Sequence, residues 1–289
     1  MAEQVYPMIT EALARGLIPG GLEQTPLTLV LVTAAMVLAA SVTYAQFGRQ
    51  RRQRQPAVDL SSIGQLPYDG KFTFTRLRFS TDGGVFGGRF RRGGGQGPGW
   101  FHDYPRAERN FMKILKEITT LDPFLGPEGG TVVSIGDPEL FKFPFAYMSE
   151  PGQWSQTDEE VLNLRNYLLK GGFIVFDDFR GNDWYNFEGQ LRRVLPDARI
   201  VELDVAAPIF HAFFEIESLD FQQMYDRDYP VFFGVYEDND PEKRLMVIAN
   251  YNNDIGEYWE FSDTGYVAID LSNEAYKFGV NYVIYAITH

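Results

Sequence analysis

Polar and apolar residues are distributed very unevenly along the chain. From Gln24 to Gly48 no residue is charged, and Leu27 to Ala45 is chiefly Leu, Val, Ala, Thr and Met. About 20 such residues cross the hydrocarbon core of a bilayer, so the run predicts a membrane encounter. Thr43-Tyr44-Ala45 before Gln46 has the small residues of a signal-peptidase site, while the length also suits an anchor. Ahead of the run stand Glu3, Glu11 and Glu23 against Arg15 alone; directly behind it come Arg49, Arg51, Arg52 and Arg54. The expectation is a cell-envelope protein, exported by or anchored through residues 27–45 of an amino-terminal segment 1–45. The alternative, favoured by the positive-inside bias, is an anchor that leaves the domain cytoplasmic.

Residues 46–70, rich in Arg, Gln, Pro and Ser and without period, read as a disordered tether leading into a domain over 71–289. A second irregular stretch, 82–99, holds nine glycines and the cluster Arg89, Arg91, Arg92. Its spacing lacks the Gly-Lys-Ser/Thr ending of a phosphate loop, and it reads as a surface loop.

Elsewhere the pattern alternates between strand and helix. Lys71 to Phe79 has period-two β-branched and aromatic residues, a strand near a sheet edge. Asp103 is placed to cap a helix whose first turn contains Pro105 and whose apolar face is Phe111, Ile114, Leu115 and Ile118. Thr131 to Ile135 and Phe145 to Met148 are short buried strands, with a helical turn opened by Asp137-Pro138 between them. Thr157 and Glu160 form a capping box ahead of Val161, Leu164 and Leu168, and Gly171-Gly172 ends that helix. Phe173 to Phe176 is an uninterrupted apolar run of the kind buried on both faces of a parallel sheet, hence the central strand. A helix near Trp184 to Leu195, strands at 199–203, 231–236 and 245–249, and a closing helix from Ala275 to Ile287 complete the series. The alternation predicts an α/β three-layer sandwich with a doubly wound, mostly parallel sheet.

Composition narrows the chemistry. Lys+Arg 26 against Asp+Glu 39 leaves a net charge of −13, which repels phosphate backbones, so no nucleic-acid partner is expected. With no cysteine there is no disulfide, thiolate metal site or thiol nucleophile, and His102, His211 and His289 are the only histidines. No Gly-x-Ser-x-Gly elbow occurs, although Asp177-Asp178 stands at the strand-to-turn position where such elbows lie.

Ligands of open α/β sheets enter beyond the carboxyl ends of the strands. Asp177 and Asp178 fall at such an end, where they could hold a divalent cation or supply a general base; otherwise one caps the next segment and the other pairs with Arg180 or Arg192. His102, Asp103 and Tyr104 lie where the glycine loop meets a helix start, and His102 is the candidate proton shuttle. Asn253, Asp254 and Trp259 follow the strand at 245–249 in a segment that reads first as a turn. His211 among Phe210, Phe213 and Phe214 reads as a hydrogen-bonded core residue, and Asn281 inside the closing helix is a candidate to bond backbone in the crevice.

Several ordered motifs carry a family resemblance: WFHDYPRAERN (100–110), DPELF (137–141), LRNYLLKGGFIVFDDF (164–179), PIFHAFFEI (208–216), RLMVIANYNNDIGEYWE (244–260) and the terminal GVNYVIYAITH. Over about Lys71 to His289 the chain resembles the DUF4159 family, a domain of unknown function. The resemblance implies a fold similar to class I glutamine amidotransferases, flavodoxin-like, in proteins that often carry signal peptides or membrane segments. It implies no reaction, and the absence of cysteine excludes glutaminase chemistry. Ala207 stands before Pro208 where relatives often have histidine, so no role of that histidine carries over.

The function expected from these readings is a non-catalytic envelope domain that binds a polar ligand or a protein partner. Its lining residues would be Asp103, Tyr104, Asp177, Asp178, Asn253, Asp254, Trp259 and Asn281. The alternative is a carboxylate- or metal-dependent hydrolase using Asp177, Asp178 and His102. No cofactor is expected beyond a possible divalent cation at Asp177 and Asp178.

Overall fold

The apolar runs become strands of one sheet because pairing satisfies their backbone groups while helices and loops cover its faces. A computed structural model describes residues 63, 66–81, 98–220 and 229–289, all within the unit Asp59–His289. The expected signal or anchor at 1–45, most of the tether and most of the glycine loop lie outside the described residues. Among the described residues, no helix is long and apolar enough to cross a membrane.

The strands are β1 (Phe74–Arg78), β2 (Gly130–Ser134), β3 (Phe145–Ser149), β4 (Phe173–Phe179), β5 (Val201–Glu202), β6 (Val231–Tyr236) and β7 (Leu245–Tyr251). Their order is β2-β1-β3-β4-β7-β6-β5. The pairs from β2 to β7 are parallel, while β6 runs antiparallel to both β7 and β5, so the sheet is mixed. Phe173 to Phe176 is central, as its unbroken hydrophobicity predicts, and all seven residues of β4 are buried. β1 lies near one edge, as expected, second in the sheet between β2 and β3, and its charged Arg76 is fully buried because an acidic partner on a helix is waiting for it.

Among the described residues, five helices cover the sheet: α1 (Arg106–Ile118), α2 (Asp158–Leu169), α3 (Asp183–Val194), α4 (Ile255–Phe261) and α5 (Ile269–Thr288). Successive residues of β4 feed two separate cores. Phe173 and Val175 pack with Phe111 and Leu115 of α1, Trp259 of α4 and Phe278 and Tyr282 of α5. Ile174 and Phe176 pack on the other face with Leu164 and Leu168 of α2 and Phe187 and Leu191 of α3. This alternation is the three-layer α/β arrangement expected of a sheet buried on both faces.

Caps set the helix starts. Thr157 Oγ1 accepts from Glu160 N at 3.2 Å and Glu160 Oε2 accepts from Thr157 N at 2.8 Å, the predicted capping box. Asp137 likewise accepts from Glu139 N. Asp103, by contrast, caps nothing: α1 begins after Pro105 without a side-chain cap, and Asp103 sits in left-handed backbone at φ 63°. α4 was not anticipated. Asp254 is its cap, and Ile255, Tyr258 and Trp259 its buried face, within a segment whose Asn and Gly content reads as a turn. The strand expected at 199–203 shortens to β5, and the closing helix extends back to Ile269.

Candidate functional site

β1 pairs with β2 on one side and β3 on the other, so the chain reverses its direction of growth beside β1. Beyond the carboxyl ends of β3, β4 and β7, three stretches of chain meet: 102–103 ahead of α1, Asp177 and Asp178 at the end of β4, and 253–257 leading into α4. Four non-glycine residues there adopt left-handed backbone, Asp103 (φ 63°), Glu150 (φ 49°), Asp178 (φ 56°) and Asn252 (φ 56°). Each such residue costs on the order of 1–3 kcal/mol, and this strain is concentrated at one edge of the sheet.

The two adjacent aspartates have different surroundings. Asp177 is wholly buried and fully engaged: Oδ2 accepts from Tyr147 OH at 2.8 Å and Gly256 N at 2.9 Å, and Oδ1 accepts from Asn250 Nδ2 at 3.0 Å. Tyr282 OH of α5 donates to Asn250 Oδ1 at 3.0 Å and so ties this chain to the helix layer in which Tyr147 also packs. Burial raises the Asp177 pKa to about 6, against the pull of its three donors. Gly256 is required by this packing. A Cβ there would lie 2.6 Å from Tyr147 Oη and 2.7 Å from Asp103 Oδ2. Asp177 is therefore a structural anchor, with both carboxylate oxygens already accepting hydrogen bonds.

Asp178 turns the other way. Its Oδ2 lies 2.9 Å from His102 Nδ1, and its Oδ1 accepts from Arg180 Nη2 at 3.1 Å, the pairing with Arg180 that the sequence suggested. Burial opposes its charge, but the imidazole and the guanidinium outweigh burial and hold its pKa below the ordinary value. Asp103 Oδ1 lies 3.1 Å from the same His102 nitrogen. The Asp103 charge, despite burial of the ring, raises the His102 pKa far above that of a free imidazole. Asp254 is buried, with Oδ1 accepting from Glu257 N at 3.0 Å and Oδ2 3.8 Å from Arg180 Nη2. Burial, then the charges of Asp178 and Asp103, push its pKa well up. Glu150 and Glu260 are each pushed up to about 8, first by burial and then by Asp178 and Asp103 respectively.

Beneath this cluster Arg76 forms a buried ion pair with Glu108 of α1, and its Nη1 donates to the carbonyls of Trp100 at 3.0 Å and His102 at 2.8 Å. The loop that carries His102 is thus tied to the sheet by a guanidinium with no access to solvent.

The family model for DUF4159, a domain of unknown function, matches residues 89–287. The chain belongs to the DUF4159 family. No curated protein matches it.

In this DUF4159 domain the crevice brings together His102, Asp103, Asp178 and Asp254 from the expected set and leaves others out. Asn253 is buried, and its side-chain oxygen accepts from Asp254 N at 2.9 Å. Trp259 is a core residue, donating from Nε1 to Ala275 O at 3.0 Å. Asn281 bonds no crevice group. Its amide donates to Phe210 O and Phe214 O and its oxygen accepts from Phe213 N and Phe214 N, clamping the 208–214 segment to α5. Tyr104 is half-buried, with its ring 5.8 Å from the Arg76 guanidinium carbon. His211 keeps its hydrogen bonds, to Glu215 and Val205 O, but on the surface rather than in a core.

Arg76, Glu108 and Tyr147 lie outside the expected set, whereas Asn250 and Glu257 fall in the polar segment after the strand at 245–249 that reads first as a turn. Two had a signal: Arg76 interrupts the apolar period of β1, and Glu108 lies at the helical spacing of Phe111, Met112 and Leu115. Tyr147 had none, since it stands in the middle of an apolar strand where a tyrosine reads as core.

Proposed function

We propose that this is a non-catalytic binding domain of the cell envelope, in which the acidic crevice at the carboxyl edge of the sheet takes a polar ligand bearing amine or hydroxyl groups. One observation carries this reading. His102 faces two carboxylates, Asp103 and Asp178, and among the described residues no hydroxyl is hydrogen-bonded to its ring. A hydrolytic dyad needs a nucleophile or an aligned water on the far side of the imidazole; a recognition site needs concentrated charge on a rigid frame. The crevice has that charge in Asp103, Asp178, Asp254 and Glu257, and the frame in the Arg76 and Asp177 networks.

The architecture proposed is the class I glutamine amidotransferase plan. Parallel order β2-β1-β3-β4 and the left-handed backbone of Asp178 at the end of the central strand support it. An acid then stands at the elbow where that fold carries its cysteine. The apolar run 27–45 supports delivery to the envelope, where a protein partner would meet the same acidic face.

The hydrolase reading draws support from the 2.9 Å approach of His102 to Asp178 alone. A glycan array that includes amine-bearing sugars, probed with the full chain in detergent, separates the two readings. Retention of at least one glycan class, lost in Asp178→Asn/Asp254→Asn and accompanied by no cleavage, is the expected result. Equal retention by the double variant, no retention at all, or cleaved glycan would overturn the binding reading.

A further inference from the structure

One imidazole and four carboxylates converge in the crevice. His102, Asp178 and Asp254 each bring a donor atom within 4.8 Å of the other two, and so do His102, Asp103 and Glu257. Asp103 is only 7% exposed, yet among the described residues neither of its carboxylate oxygens receives a hydrogen bond; nor does Asp178 Oδ2 or His102 Nδ1. Asp103 Oδ1 and Asp178 Oδ2 both face the one nitrogen His102 Nδ1, at 3.1 and 2.9 Å. A buried carboxylate without a partner is costly, and native proteins almost always supply one. A proton on Nδ1 serves one of the two facing oxygens and leaves Asp103 Oδ2 unserved. A divalent ion at His102, where the two triads of donors meet, would serve the facing oxygens together.

We propose that His102, Asp103, Asp178, Asp254 and Glu257 form a site for one divalent transition-metal ion such as Mn²⁺ or Zn²⁺, an assignment that rests on reading the crevice as a binding site and names its ligand class. The imidazole among the donors sets the ion class, because Mg²⁺ and Ca²⁺ take oxygen alone while nitrogen-plus-carboxylate sets suit the transition series. Supporting contacts hold the donors in place. Arg180 occupies Asp178 Oδ1 and leaves Oδ2 facing the centre. Arg76 fixes the His102 carbonyl, and Asp254 is held through the Glu257 amide. Such outer contacts orient metal ligands and contribute to affinity.

The test uses the full chain stripped with EDTA and then dialysed. Isothermal titration with Mn²⁺ and Zn²⁺ should show one ion per chain, with a rise in melting temperature, because an ion that binds only the folded state stabilises it. His102→Ala and Asp103→Asn should each weaken uptake by at least about tenfold. No uptake by the unsubstituted chain overturns the site, as does uptake undiminished in both variants or tighter binding of Mg²⁺ or Ca²⁺. The unsubstituted chain decides the matter even if a variant fails to fold. Glycan retention without metal uptake would sink the metal site and leave the crevice reading standing; loss of both would remove the two together.

Discussion

Glu150 is a half-buried acid in left-handed backbone at the end of β3, and Asp178, Asp103, Asp183 and His102 are the charges that face it. Its proton is held to about pH 8 in the folded state against an ordinary value of 4.5. Between those two values the unfolded chain gives up this proton while the folded chain keeps it. The folded state then binds more protons, so stability falls as pH rises through that window and levels off above it. Glu150→Gln removes the effect. Melting temperatures at pH 5 and pH 8.5 should show a smaller drop in the variant than in the unsubstituted chain. An equal drop would place the titration elsewhere, for example on Glu260, which follows the same sense.

At the scale of elements, α4 deserves the test, because its start joins the two networks of the crevice. Gly256 N donates to Asp177, and the space a side chain would need is held by Tyr147 Oη and Asp103 Oδ2. Gly256→Ala should therefore destabilise the domain by roughly 1–3 kcal/mol, the usual cost of overpacking, rather than stabilise it as alanine does in an open helix. Urea unfolding measures the difference, and a neutral or stabilising result would show that α4 can shift away from β4. The elements themselves were largely legible. Capping residues such as Thr157 and Asp137 and the period of Phe173 to Phe176 act locally, and locally determined structure can be read from a line of sequence. Asp103 and α4 were misread for the opposite reason. Asp103 has the chemistry of a cap, but it lies in left-handed backbone with its carboxylate against Gly256 from a distant part of the chain, and seven residues containing a glycine give too short a period to register as a helix.

For the whole molecule, the site was half legible. Strand ends and charge brought Asp178 into the crevice, whereas His102 was joined to it only in the hydrolase alternative; their 2.9 Å approach depends on the folded loop. The division of labour between Asp177 and Asp178 was not legible, because it depends on which oxygens Tyr147, Asn250 and Gly256 reach across three elements. The order of strands carries one more implication. The family match starts at residue 89, whereas β1 ends at Arg78, so the second strand of the sheet lies ahead of the matched segment. A fragment that begins at residue 89 would leave β2 and β3 without their shared neighbour and Glu108 without Arg76. Loss of one partner of a buried ion pair alone removes about 3–5 kcal/mol, a large share of the ~5–15 kcal/mol that holds a domain together. Such a fragment should melt without a cooperative transition in circular dichroism, and a sharp transition would refute this. The boundary of sequence likeness and the boundary of the cooperative unit do not coincide here, and anyone trimming the gene to its recognisable part would discard an interior thread of the fabric and leave its border strand detached.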